Sequence, residues 1–154
     1  MQLLISSKLE KLSYNTNKLI QKNNENNLSA SVGTYSELEQ AFLAGNKFVF
    51  EKDYAAQEND GVINIKKSIE IDGKGHTIDA QQKSGIFKIE DAGNVVLKNI
   101  IFKNAKDRES AAVYVYGTDC TIENCTFKDN YAVQGGAVFL EGENLTIINS
   151  RFYD

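Results

Sequence analysis

The sequence predicts an all-β protein, a right-handed parallel β-helix of about four coils with about 25 residues and three short strands per coil, preceded by an N-terminal capping helix. Three observations lead to this prediction. A segment ending in Asn-x-x-Phe recurs every 25 residues, its apolar residues alternate with a period of two, and the alternation shifts by one residue at the Asn. A chain that returns regularly to the same place stacks equivalent strands into parallel sheets, and right-handed winding follows the general rule for parallel crossovers.

The repeat has three clear copies in the C-terminal half of the chain. Its recurrent positions are Asn99, Asn124 and Asn149, and Phe102, Phe127 and Phe152. Because Asn tolerates left-handed backbone angles, the Asn position predicts a tight inward corner with a ladder of side-chain amides along the axis. The Phe position predicts an aromatic stack in the core. A degenerate earlier copy at 69–73 has Gly73 in place of the Asn.

Upstream of the repeats, the sequence predicts a helix that covers the first coil. Ser36 and Glu39 fit a capping box, apolar residues follow on one face, and Gly45 ends the helix. Residues 48–50 then predict a strand. A helix in this place covers the core and the strand edges that a first coil would otherwise expose.

The chain divides into residues 1–31 and 32–154. Residues 1–31 predict a short helix, with Ile5, Leu9 and Leu12 at helical spacing, followed by a linker in the Asn-rich run 23–27. Residues 32–154 predict the capped β-helix. Because the sequence stops after the third Phe, where another coil is expected, we expect a β-helix truncated at its C-terminal end, and an open last coil allows end-to-end self-association.

Composition excludes several classes of function. A net charge of −4 argues against a nucleic-acid partner, and no apolar run is long enough for membrane insertion by this segment. Two cysteines and a single histidine, His76, leave no residues for a disulfide scaffold or a zinc site. We expect no metal and no cofactor.

Several segments resemble the adhesin-like, right-handed β-helix surface proteins of methanogenic archaea. These are IDGKGHTID at 71–79, IFKI at 86–89, LKNIIFKN at 97–104 and GGAV at 135–138. FKDN at 127–130 and the GGAV segment are also similar to the F-x-x-N and G-G-A-I marks of the chlamydial polymorphic outer-membrane protein repeats. The resemblance covers residues 34–154 and implies a pectate-lyase-like β-helix fold in long, secreted proteins at the cell surface.

Catalysis by a β-helix that cleaves polysaccharides would require paired carboxylates, or a calcium-binding carboxylate cluster beside a basic residue, on one outward face. The outward positions of the repeat carry no such cluster, so we expect no enzymatic activity. Cys120 and Cys125 occupy inward positions and are expected to pack in the core. His76 lies in a glycine-rich turn and has no partner in the sequence pattern.

The outward row Lys88, Tyr114 and Phe139, with Tyr116 alongside, is the candidate surface-binding site. It is either a binding surface for sugar rings or a partner protein, or ordinary cross-strand packing beneath a loop. Asn144 begins an N-x-T sequon at a turn and is a candidate glycosylation site. Asn124 begins a second sequon, which we discount because the corner is expected to face inward.

Together these features predict a non-enzymatic, adhesin-like or structural cell-surface module that attaches to host, microbial or carbohydrate surfaces. One alternative is the N-terminal part of a polysaccharide lyase or hydrolase whose catalytic coils lie beyond Asp154. A second is a truncated solenoid without a function of its own.

Overall fold

A computed structural model describes residues 2–108, 112–117 and 119–154 of this protein. The chain forms two compact units, Met1–Val32 and Gly33–Asp154. Each unit is described by itself below.

The first unit is one helix, α1, which spans Gln2–Ser31. The linker predicted in the Asn-rich run 23–27 is therefore wrong, because the backbone remains helical through it. Asn is only a few tenths of a kcal/mol less favourable in a helix than most residues. Neither Pro nor Gly occurs before Gly33, so nothing in the sequence breaks the helix earlier.

The second unit opens with the short strand β1 (Gly33–Thr34) and the helix α2 (Tyr35–Ala44). The strands that follow are β2 (Lys47–Val49), β3 (Tyr54–Ala55), β4 (Ile63–Ile65), β5 (Ile69–Asp72), β6 (Thr77–Asp79), β7 (Phe87–Glu90), β8 (Asn94–Lys98), β9 (Ile101–Lys103), β10 (Lys106–Asp107), β11 (Val113–Tyr116), β12 (Asp119–Glu123), β13 (Thr126–Lys128), β14 (Tyr131–Ala132), β15 (Val138–Glu141), β16 (Leu145–Ile148) and β17 (Arg151–Tyr153).

These strands form three parallel sheets that the chain visits in turn. The four-stranded sheet has the order β15-β11-β7-β4, the five-stranded sheet β16-β12-β8-β5-β2, and the six-stranded sheet β1-β3-β6-β9-β13-β17. The predicted parallel β-helix is confirmed, with about five turns rather than four. A further parallel pair, β10 with β14, adds a fourth strand to the two coils that contain it.

The register follows the repeat, because Cys120 lies opposite Val95 on one side and opposite Leu145 on the other. The predicted aromatic stack is also confirmed. The rings of Phe102 and Phe127 are 4.8 Å apart, and those of Phe127 and Phe152 are 4.9 Å apart, both pairs nearly coplanar. Stacking along the axis follows directly from the register of β9, β13 and β17.

The helix α2 caps the coil stack, as predicted. Along the chain, α2 follows β1 of the six-stranded sheet and precedes β2 of the five-stranded sheet. In the later coils, a strand of the four-stranded sheet occupies this place in the order. Its buried residues are Tyr35, Leu38 and Phe42, and the Phe42 ring lies 5.8 Å from that of Phe87 in an edge-to-face contact. The apolar face of α2 therefore covers the end of the core.

The capping box lies two residues earlier than predicted. Thr34 accepts a hydrogen bond at its side chain from the backbone N–H of Glu37, whose carboxylate accepts one from Thr34 N. Ser36 is inside the helix. Both Thr34-x-x-Glu37 and Ser36-x-x-Glu39 fit the sequence pattern, but β1 pairs with β3 and holds Thr34 extended, as an N-cap residue must be.

The Asn corners have the expected backbone and an unexpected side-chain direction. Asn99, Asn124 and Asn149 have φ angles of 55°, 51° and 49°. The predicted amide ladder is wrong, because Asn124 and Asn149 are exposed, and only Asn99 among the three makes a side-chain hydrogen bond within the described residues, to Asp72. Backbone bonds join the corners instead, such as Asn124 N donating to Ile148 O at 3.0 Å.

Candidate functional site

The candidate site is the outward face of the four-stranded sheet. Its inward positions are filled by core residues such as Val113 and Val115, so alternation directs Tyr114 and Tyr116 outward. Pairing with β7 and β15 adds the neighbouring outward residues. We call this surface the aromatic face; it comprises Lys88, Glu90, Tyr114, Tyr116, Phe139 and Glu141.

Lys88, Tyr114 and Phe139 form one continuous row across three coils, as the sequence predicts. Tyr114 lies opposite Lys88 on one neighbouring strand and opposite Phe139 on the other. The two aromatic rings stack with 5.6 Å between centroids and 12° between planes, and Lys88 Nζ lies 5.8 Å from the centroid of Tyr114. The row presents parallel ring planes with a cation at one end.

Tyr116 lies in a second row, between Glu90 and Glu141. Its side chain is the most exposed of the aromatic residues on this face, at 47%. Sequence reasoning included Tyr116 but missed both carboxylates. The sequence did contain a sign of these carboxylates. Glu141 lies two residues after Phe139 in the repeated block, and Glu90 lies two residues after Lys88 in an earlier copy of that block.

The carboxylates of the aromatic face are held by neighbouring groups. Glu90 pairs with Lys88 at 3.0 Å and with Lys66 at 3.3 Å. The hydrogen bonds from Lys88 and Lys66 lower the pKa of Glu90. The Tyr114 hydroxyl donates a hydrogen bond to Glu141 Oε2 at 2.6 Å, and this bond joins the two rows. Each oxygen of Glu90 contacts a lysine, and one oxygen of Glu141 accepts the Tyr114 hydroxyl. Because a carboxylate has about four acceptor sites, both groups keep lone pairs that can accept a hydrogen bond from a ligand.

A turn borders this face at Phe139. Gly135 has a φ of 130°, and a Cβ at this position would lie 3.0 Å from the Phe139 Cβ. The turn therefore packs against one side of Phe139, which is half-buried, as is Tyr114. Cross-strand packing is therefore present at Tyr114 and Phe139, whose rings pack against each other and, at Phe139, against a turn. Tyr116 stays exposed, and a binding role for this surface stays a prediction.

Asn144 is exposed in the turn before β16, with a φ of 70°. Its side-chain amide donates to Asp119 Oδ1 at 2.8 Å. Thr146 of the same sequon is exposed too, so glycosylation of Asn144 stays a prediction. The inward placement that led us to discount Asn124 is wrong, since Asn124 is exposed at its corner.

The remaining candidates have structural roles. Cys120 and Cys125 are free thiols buried in the core, as predicted. His76 does have a partner, because its Nδ1 lies 3.0 Å from Asp53 Oδ1, one coil earlier. Asp53 also accepts a hydrogen bond from Thr77 N at 2.9 Å, so the pair holds neighbouring coils together.

Within residues 2–108, 112–117 and 119–154, no group of three His, Cys, Asp or Glu side chains is arranged to hold a metal ion. No helix of the described chain has the length and apolar character needed to cross a membrane. At the last coil, the inward residues Ile147 and Phe152 are exposed, with Phe152 at 49%.

Comparison with known proteins places the chain in a family. The family described as "Right handed beta helix region" matches residues 11–154, which include every strand that the structure describes. Its right-handed winding agrees with the handedness that parallel crossovers predict. No curated protein and no solved structure matches the chain.

Proposed function

Because the chain belongs to the right-handed β-helix family, we propose that it is a non-enzymatic, adhesin-like attachment module of a cell-surface protein, and that the aromatic face binds carbohydrate. An extracellular location and an affiliation with adhesin-like surface proteins are parts of this proposal. Both rest on the resemblance of the segments at 71–79, 86–89, 97–104, 127–130 and 135–138.

The observation that carries the proposal is the arrangement of ring planes and carboxylates on one sheet. A sugar ring has an apolar face that packs on an aromatic plane and a rim of hydroxyl groups that donate hydrogen bonds. Tyr116 offers an exposed plane, and Glu90 and Glu141 lie on either side of it, one coil away. This combination matches both parts of a sugar.

The charges of the face favour a neutral saccharide. Lys88 of the face and Lys66 beside it balance Glu90 and Glu141, and Glu90 contacts both lysines. An acidic polymer would need a surplus of cations, because its carboxylates would otherwise meet Glu90 and Glu141. A neutral polymer meets no such repulsion.

Two carboxylates of the coils, Glu70 and Glu90, suit a binding role better than catalysis. A general acid in glycoside hydrolysis needs a raised pKa. Hydrogen bonds from Lys98 lower the pKa of Glu70, and those from Lys88 and Lys66 lower the pKa of Glu90. Both groups are fixed anions beside lysines, which suits hydrogen-bond acceptance.

The test is binding of the purified chain to immobilised neutral polysaccharides, with polygalacturonate as the acidic comparison. Replacing Tyr116 with Ala should weaken binding by at least about tenfold, as expected for a central aromatic contact. The matched control is Tyr131→Ala, because Tyr131 is more exposed and lies on β14, outside the face. Circular dichroism confirms that both variants fold.

Two outcomes would overturn the proposal. Equal binding by Tyr116→Ala and Tyr131→Ala would remove the aromatic face from the site. Release of reducing ends from any of the polysaccharides would show that the chain is an enzyme. Labelling of intact source cells with an antibody against the chain tests the surface location separately.

A further inference from the structure

The second row of the aromatic face places an aromatic side chain between two hydrogen-bond acceptors. Tyr116 of β11 lies opposite Glu90 of β7 on one side and opposite Glu141 of β15 on the other. Because neighbouring strands lie about 4.8 Å apart, the Cα atoms of the two glutamates are separated by about 10 Å, with that of Tyr116 midway. The row therefore has a direction, since the two carboxylates flank Tyr116 along the coil stack and not along the strand.

Both glutamates are held in place by neighbouring groups. Glu90 contacts Lys88 Nζ at 3.0 Å and Lys66 Nζ at 3.3 Å, and Glu141 accepts the Tyr114 hydroxyl at 2.6 Å. An ionised carboxylate accepts hydrogen bonds and donates none, so a ligand group that faces it must carry a proton. A ligand that lies between the two glutamates therefore needs donors on two opposite edges.

A hexose residue within a β-1,4-linked chain meets this requirement. Its C2 and C3 hydroxyls lie on one long edge and its hydroxymethyl group lies on the other, so both long edges donate hydrogen bonds. The oxygens at C1 and C4 link the residue to its neighbours and carry no proton. Because both of these bonds are equatorial in β-linked glucans and mannans, the chain is a flat ribbon, and its apolar face packs on an aromatic plane.

We propose that the aromatic face binds a flat β-1,4-linked glucan or mannan whose chain runs parallel to the strands, with an internal residue over Tyr116. The two long edges of that residue then donate to Glu90 and Glu141. A chain along the coil stack would turn its linking oxygens toward the carboxylates, and acceptors that face acceptors lose hydrogen bonds to water without replacement. The inference names the ligand of the binding face proposed above, so it rests on the proposed function.

The turns at the ends of β11 and β15 leave room for a chain in this direction. Gly117 directly follows Tyr116, and among the described residues only its chain neighbours have atoms within 4 Å of the place of a Cβ. One coil later, Gly142 follows Glu141, and a Cβ there would lie 3.0 Å from Gly117 N, so the two turns pack closely. Since neither glycine carries a side chain, a polymer can continue past the ends of the strands at this point.

The experiment is a nuclear magnetic resonance titration of the full chain with soluble hexasaccharides, which measures weak as well as tight binding. Cellohexaose and mannohexaose are the expected ligands. Xylohexaose is the comparison, because it has the linkage of cellohexaose and lacks the hydroxymethyl groups. We expect xylohexaose to bind at least about tenfold more weakly than the better of the two hexose ligands, since it leaves one glutamate without a donor.

The double variant Glu90→Ala/Glu141→Ala tests whether the two glutamates cause this discrimination. It should weaken binding of the hexose ligand more than binding of xylohexaose, so that the ratio of the two dissociation constants falls toward one. The matched control Glu51→Ala/Glu58→Ala removes the same charge at two exposed positions outside the face and should discriminate like the wild type. Circular dichroism confirms that both variants fold. A crystal structure with the bound hexose ligand then shows the direction of the chain.

The outcomes separate this inference from the proposed function. If no neutral saccharide binds, both are wrong. If binding of a neutral polysaccharide depends on Tyr116, but neither hexose ligand binds or xylohexaose binds as tightly, the proposed function stands and the inference is wrong. Discrimination that persists in Glu90→Ala/Glu141→Ala also overturns the inference, as does a bound chain that lies along the coil stack.

Discussion

The side chain of Asn130 reaches back to the preceding coil and donates from Nδ2 to the backbone carbonyl of Phe102 at 3.1 Å. Its Oδ1 also accepts the backbone N–H of Ala105 at 2.9 Å. Ala105 is buried, so Asn130 satisfies a backbone donor that water does not reach. This clamp gives the F-x-x-N motif at Phe127 a physical role, because Asn130, three residues after Phe127, joins its own coil to the one before.

Replacing Asn130 with Ala should lower the free energy of unfolding by about 1–3 kcal/mol, because it leaves a buried N–H unsatisfied. Urea unfolding followed by far-ultraviolet circular dichroism measures the change. The control is Asn64→Ala, since Asn64 is exposed and makes one local bond to Val62 O. We expect less than about 0.5 kcal/mol there. Equal losses at both positions would contradict the clamp.

At the corner, position 124 should tolerate Gly better than Ala, because a φ of 51° is unfavourable for a residue with a Cβ atom. Asn124→Ala should cost about 1 kcal/mol of unfolding free energy and Asn124→Gly less. At the neighbouring Glu123, the last residue of β12, Ala should be tolerated better than Gly, since Gly weakens a strand. The same order of Gly and Ala at both positions would contradict a backbone origin of the corner.

Stability should depend on Asp72 in acid. Burial acts to raise the pKa of this carboxyl, but hydrogen bonds from the Asn99 side chain and from Lys74 outweigh it and hold the pKa below its usual value. A lowered folded-state pKa stabilises the protein above the unfolded pKa of about 4, and this contribution is lost as the pH falls below it.

The variant Asp72→Asn tests this dependence. It should be less stable than the wild type at neutral pH, and the difference in unfolding free energy should shrink as the pH falls from about 5 toward 2. Unfolding by urea at several pH values measures both chains. A difference that stays constant over this range would show that the Asp72 charge makes no contribution.

Both cysteines should resist thiol reagents in the folded protein. Burial raises the pKa of Cys120 to about 12 and that of Cys125 to about 11, and the reactive form is the thiolate. We expect labelling by an aromatic disulfide reagent at mildly alkaline pH only after unfolding in urea. An introduced Thr146→Cys, at an exposed position of β16, provides a reactive control. Fast labelling of the native wild-type chain would contradict the burial.

Most of the coil architecture could be predicted because one period fixes many contacts at once. Locating Phe102, Phe127 and Phe152 in sequence was enough to predict their stack, since register follows from the spacing. The amide ladder failed because alternation does not tell whether a left-handed residue points inward or outward. The backbone at Asn124 was predictable, but its side-chain direction depends on the neighbouring coils.

The candidate site was only half predictable. Lys88, Tyr114 and Phe139 share a row because they share a repeat position, and the sequence shows that position. The bond from Tyr114 to Glu141 joins two different positions on adjacent coils, so no single repeat position reveals it. The predicted position of the capping box was wrong for a similar reason. The pairing of β1 with β3, which joins two separate parts of the chain, selects Thr34 over Ser36 as the N-cap residue.

The 25-residue register of β8, β12 and β16 has a genetic consequence. Leu145 lies where Cys120 lies one coil earlier, and Cys120 lies where Val95 does. Deleting residues 120–144 would join Asp119 to Leu145 and leave Leu145 beside Val95, with the inward and outward positions unchanged. Recombination between the repeats in the gene can therefore shorten or lengthen the protein by whole coils and still encode a folded chain, so length is a property that this gene can vary without rebuilding the core.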